Sequence, residues 1–80
     1  MMDKMPASGG VDVRINGREE SVPPNLNLVQ LVAHLGLKGN RIAIEVNRKI
    51  VKRDRWTDCA VQSGDVIEIV HFVGGGSREE

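Results

Sequence analysis

The sequence predicts an α+β fold in which one mixed sheet of four to five strands packs on a single main helix. Three observations lead there. Apolar and polar residues alternate with period 2 in short stretches near both ends and in the middle of the chain. Only one stretch, beginning at Leu28, repeats its apolar residues at helical spacing. Turn residues separate these stretches, and the whole chain is 80 residues, enough for one small domain and not two.

Val11, Val13 and Ile15 alternate with Asp12, Arg14 and Asn16, the pattern of a half-buried strand over 11–16. Asn16 and Gly17 follow, a strong two-residue hairpin signal because both tolerate a positive φ. Residues 18–22 are mostly polar, as suits an edge strand, and Pro23 with Pro24 stops them. Leu28, Leu31, Val32 and Leu35 then stand at i, i+3, i+4 and i+7, one face of a helix. Asn27 fits its N-cap, Gln30 can close a capping box, and Gly36 supplies a left-handed stop. His34 falls off the apolar stripe, which favours a solvent-facing side chain over a ligand. Ile42, Ile44 and Val46 form a third strand, Asn47 and Arg48 a turn, and Ile50 and Val51 a short fourth strand. Residues 54–64 read as irregular, with Trp56 as a core plug, and a turn at Ser63, Gly64 and Asp65 precedes a last strand over 66–72.

Two terminal hairpins joined by a helical crossover leave few topologies, and the most economical is a β-grasp with the first and last strands central and parallel. A ferredoxin-like fold would need a second helix. The domain is expected over residues 11–73, with residues 1–10 a mobile tail and residues 74–80 a glycine-containing tail.

Composition narrows the function. Lys plus Arg number 11 and Asp plus Glu 11, so the net charge of zero argues against a nucleic-acid-coating protein. No apolar run approaches the ~18 residues of a membrane span, and the first ten residues lack a signal-peptide core. The single cysteine, Cys59, excludes an internal disulfide and multi-cysteine metal sites. These features read as a cytoplasmic binding or carrier module with no metal and no stably bound cofactor.

Two features stand out as functional, and three others have competing bland readings. On the last strand, if Ile67 and Ile69 face the helix, the opposite face carries Val66, Glu68, Val70 and Phe72, an apolar strip that no second helix covers. Val66, Val70 and Phe72 are therefore the expected docking residues; the competing reading is that the loop bearing Trp56 shelters them. Gly74, Gly75 and Gly76 follow directly and form the thinnest chain possible, suited to a flexible link or to threading into a partner's active site. Between Arg48 and Arg55 lie five basic residues and one acidic, read as a solvated hairpin in preference to a nucleic-acid site. Cys59 lacks a thiolate-stabilising signature and is read as packing in preference to a sulfur relay. His71 is read as structural at the sheet edge.

The hairpin at Ile15, Asn16 and Gly17, the helix LVQLVAHLGL, the segment AIEVNRKIVKRDRW over 43–56 and the ending SGDVIEIVHFVGGG over 63–76 occur in one order and spacing. Together they resemble the ThiS sulfur carriers of thiamine biosynthesis, a ubiquitin-like branch of the β-grasp proteins. The stretch over 47–56 favours ThiS over the related MoaD carriers of molybdopterin synthesis. The resemblance implies a protein cosubstrate, not an enzyme, whose terminal glycine carboxylate, at Gly76, is the working group. It implies as partners a ThiF-like adenylyltransferase using ATP, a cysteine desulfurase-linked sulfur donor, and the thiazole synthase ThiG. The sequence departs from the pattern at one place: Ser77, Arg78, Glu79 and Glu80 follow Gly76, so Gly76 carries an amide where the chemistry needs a carboxylate. Removal of these four residues by a tail-trimming peptidase is expected; the alternative is a descendant that has lost the carrier role. The alternatives are a carrier for another pathway (molybdopterin, tRNA thiolation, a siderophore) and a ubiquitin-like interaction module without tail chemistry.

Overall fold

The structure, a computed structural model, describes residues 10–38 and 41–72. The chain runs β1 (Val11–Ile15), β2 (Arg18–Val22), α1 (Leu28–His34), β3 (Ile42–Val46), β4 (Lys49–Val51), a 3₁₀ helix (Arg53–Asp58) and β5 (Val66–His71). The sheet order is β2-β1-β5-β3-β4. β1 and β5 pair in parallel near the centre, and each flanking hairpin is antiparallel. This is the β-grasp topology expected from the sequence. Residues 1–9 of the tail expected over 1–10, Val73 of the expected domain and the tail over 74–80 lie outside the described residues.

Both hairpins turn on two residues with positive φ: Asn16 (51°) with Gly17 (83°), and Asn47 (53°) with Arg48 (73°). Left-handed residues at both positions give a turn whose twist matches the strands it joins. The second turn places arginine where glycine would cost least.

One layer of side chains fills the space between sheet and helix. Val13, Ile15, Ile42, Ile44, Ile67 and Ile69 point from the sheet toward Leu28, Leu31 and Val32 of α1, and all are buried. Each such side chain removed from water stabilises the fold by about 1.5–3 kcal/mol. Leu35, the fourth member of the predicted stripe, is the C-cap and only half-buried, packing at the margin of the core. Gly36 takes the left-handed conformation (φ 76°) that the sequence led one to expect. The stretch expected to be irregular differs: Arg53–Asp58 forms a 3₁₀ helix. Trp56 drives it, because its ring is buried in the core while its Nε1 donates to the carbonyl of Val51 at 2.9 Å. The last strand stops at His71, although the Phe72 amide still donates to the carbonyl of Arg41 at 2.8 Å.

Candidate functional site

In the sequence the glycines at 74–76 follow β5 after two residues, and the sheet holds β5 itself from both sides. On the β1 side the parallel pairing extends only through Arg14–Val66 and Ile15–Ile67. Beyond it the Asn16 side chain takes over. Its Oδ1 accepts from the Ile69 amide at 2.8 Å, and its Nδ2 donates to the Ile69 carbonyl at 3.2 Å. On the β3 side, the Asn47 amide donates to the Val66 carbonyl at 2.7 Å, and its Oδ1 accepts from the Val66 amide at 2.9 Å. The same side chain donates to Asp65 at 3.1 Å. The two turn asparagines thus act as strand extensions that hold β5. In the sequence Asn16 reads only as a hairpin former, and this second role is not visible there. An Asn bonding to a strand far along the chain leaves no local trace.

The outer face of β5 is bare. Val66, Val70 and Phe72 are 41, 54 and 58% exposed, and Ile50, on the neighbouring hairpin, 71%. The sheltering alternative is thereby removed: the Trp56 segment packs on the opposite, core side. Ile50 belongs to this exposed face, which the sequence reading confined to Val66, Val70 and Phe72. Its signal was present in the alternation within β4, since Val51 packs at the core and Ile50 must then point outward. Val70, Phe72 and Ile50 line a shallow groove of about 330 Å³ with Ala43, Glu45 and Glu68. Val66 sits apart from this groove, beside Arg14 and Glu19.

The other candidates take their simpler roles. Arg48, Lys49, Lys52, Arg53 and Arg55 are all exposed. Arg53 stacks over the Trp56 ring at 4.7 Å, and Arg55 lies 3.9 Å from Asp58. Cys59 packs against the core. Burial pushes its thiol above the ordinary value, and the Asp65 carboxylate adds to the push. That disfavours the thiolate a sulfur relay would need. His34 and His71 are exposed. Among the described residues no group of three or more His, Cys, Asp or Glu could hold a metal ion. No helix of the described residues is long and apolar enough to cross a membrane. Gly74, Gly75 and Gly76 lie outside the described residues.

A family model described as "ThiS family" matches residues 10–76 of the chain. The chain belongs to the ThiS family. The ThiS sulfur carrier protein of Bacillus subtilis is 34% identical over 65 residues, covering 80% of this chain and 98% of the carrier. A thiazole synthase of Paramagnetospirillum magneticum is 38% identical over 65 residues, 81% of this chain but only 20% of that enzyme's length. The crystal structure of the thiamine biosynthesis protein ThiS from Geobacter metallireducens superposes with a TM-score of 0.73 at 26% identity. It covers 82% of this chain and 100% of that one, so the ThiS resemblance and the β-grasp expectation both stand.

Proposed function

We propose that this chain is a sulfur carrier for thiazole formation in thiamine biosynthesis, acting in the cytoplasm as a protein cosubstrate. Its working group is the carboxylate of Gly76, freed by removal of residues 77–80. The observation that carries this reading is that the family match begins at residue 10 and ends on Gly76, leaving Ser77–Glu80 beyond it. The firmly held β5 supports it as well, since a fixed body gives a thin arm a defined starting point.

The chemistry asks little of the carrier itself. A carboxylate is a poor electrophile. In the ThiF-like adenylyltransferase a Gly76 carboxylate oxygen attacks the α-phosphorus of ATP, pyrophosphate leaves, and the acyl carbon is joined to AMP. The terminal sulfur of a persulfide, drawn from cysteine through a desulfurase, then displaces AMP to give an acyl disulfide. A second thiol cleaves its S–S bond, leaving as a disulfide and releasing the thiocarboxylate, which donates sulfur to the thiazole synthase ThiG. Gly74 and Gly75 provide the narrow cross-section that lets Gly76 reach an enclosed site. Val66, Val70 and Phe72, joined by Ile50, dock the body on the activating enzyme, with the basic hairpin as a second contact. A stretch similar to this chain makes up a fifth of a protein named thiazole synthase, which supports ThiG as the acceptor.

Pyrophosphate exchange tests the proposal. A chain ending at Gly76, with a ThiF-like enzyme and ATP, is expected to support exchange. The chain carrying residues 77–80 is expected to support none until trimmed, and Gly76→Leu none at all. A pure interaction module would bind the enzyme and show no exchange in any form, and that outcome would sink the carrier reading.

A further inference from the structure

The outer sheet face carries an unexplained pair of charges. Glu45 on β3 and Glu68 on β5 are direct register partners. Both side chains point away from the core, because their neighbours Ile44, Ile67 and Ile69 point into it. Opposed side chains in an antiparallel pair have Cβ atoms about 5 Å apart, and like charges placed so are destabilising. The ion pairs among the described residues are Arg14–Glu19 and Arg55–Asp58, so neither Glu45 nor Glu68 meets a cation there. Charges that guard a sheet against aggregation belong on its edges. These stand on the central strand and the one beside it. They are set in apolar surroundings, in one groove with Ala43, Ile50, Val70 and Phe72.

We propose that the Glu45–Glu68 pair is a receptor for an arginine of the activating enzyme, seated in the groove and framed by apolar side chains of that enzyme. The inference rests on the reading of this face as the enzyme's dock and names the chemistry of the contact. A guanidinium fork can bond two carboxylates at once, and its flat face can lie on Phe72 or Ile50. A lysine ammonium can also bridge two carboxylates, but it lacks the planar fork and the flat face that stacks. A second copy of this chain is a poor occupant, since laying two such faces together gathers four carboxylates. The repulsion within the free carrier is relieved only when the cation arrives, so the pair discriminates against apolar surfaces that lack one.

The test uses the full chain and the ThiF-like enzyme of the same organism, with binding followed by calorimetry at several salt concentrations. Glu45→Gln and Glu68→Gln are each expected to weaken binding about tenfold and to flatten its salt dependence. Their melting temperatures are expected to stay level or rise, because a repulsion is removed. Glu20→Gln makes the same change in net charge on β2, outside this groove, and is expected to leave binding unchanged. Phe72→Ser is expected to weaken binding through the apolar frame. If Phe72→Ser weakens binding and the glutamine variants do not, the arginine receptor is wrong and the docking face stands. If Glu20→Gln weakens binding as much as Glu68→Gln, the effect is one of net charge and the receptor is again wrong. If the wild-type chain does not bind, or no variant on this face matters, the docking reading falls and takes this inference with it.

Discussion

Asn16 does two jobs with one side chain. Its backbone occupies the left-handed turn position at φ 51°, and its amide group closes two bonds on Ile69. The two jobs can be separated by substitution. Asn16→Gly keeps the turn and leaves the part-buried Ile69 amide and carbonyl without protein partners, a loss of about 1–2 kcal/mol. Asn16→Ala adds the left-handed penalty of a side chain with no local hydrogen bond, about 1 kcal/mol more. Urea unfolding should show the midpoint falling in the order wild type, Gly, Ala at constant slope. Equal midpoints for wild type and Asn16→Gly would mean that the grip on β5 contributes nothing.

At the scale of the element, α1 has seven residues, too few to persist as an isolated helix in water. Packing of Leu28, Leu31 and Val32 holds it, and a complete capping box starts it. The Asn27 side chain accepts from the Gln30 amide at 2.8 Å, and the Gln30 side chain accepts from the Asn27 amide at 2.9 Å. Asn27 also ties the helix to the segment before β5, since its Nδ2 donates to the Thr57 carbonyl at 3.4 Å. Asn27→Ala is expected to cost about 1 kcal/mol, which lowers the melting temperature of a domain this small by about 4–8 °C. Asn27→Asp keeps the cap acceptor and should recover most of that loss in the same thermal melt. The box was legible in the sequence because it is local, spaced three residues apart. The 3₁₀ helix was not, because a buried Trp56 and its bond to Val51 create it, not a periodic pattern.

The whole molecule is organised around one strand with two unlike faces. Ile67 is fully buried at the centre of the sheet, while Val70 and Phe72 lie open on the other side. Ile67→Ala is expected to cost about 2–5 kcal/mol. A small domain holds only about 5 kcal/mol in total. Circular dichroism should therefore find Ile67→Ala substantially unfolded at 25 °C or melting far below wild type. Phe72→Ser, on the exposed face, should shift stability by no more than about 0.5 kcal/mol. A large loss of stability in Phe72→Ser would place that side chain in the core and remove it from the proposed docking face.

The alternation of Val11, Val13 and Ile15, the stripe from Leu28, the capping box and the two turn asparagines determined the elements and, through their order, the β-grasp. All of these depend on neighbours within about one turn or one hairpin, which is why they can be read along the chain. The exposed strip of Val66, Val70 and Phe72 was legible for the same reason, since a strand's two faces follow from alternation alone. The tertiary structure decided what lies beside that strip. Register across β3, β4 and β5 brings Ile50, Glu45 and Glu68 into one groove, and it carries Asn16 to Ile69 across the sheet. These contacts join residues far apart in sequence, and the free energy that fixes them is burial of the shared core on the other face.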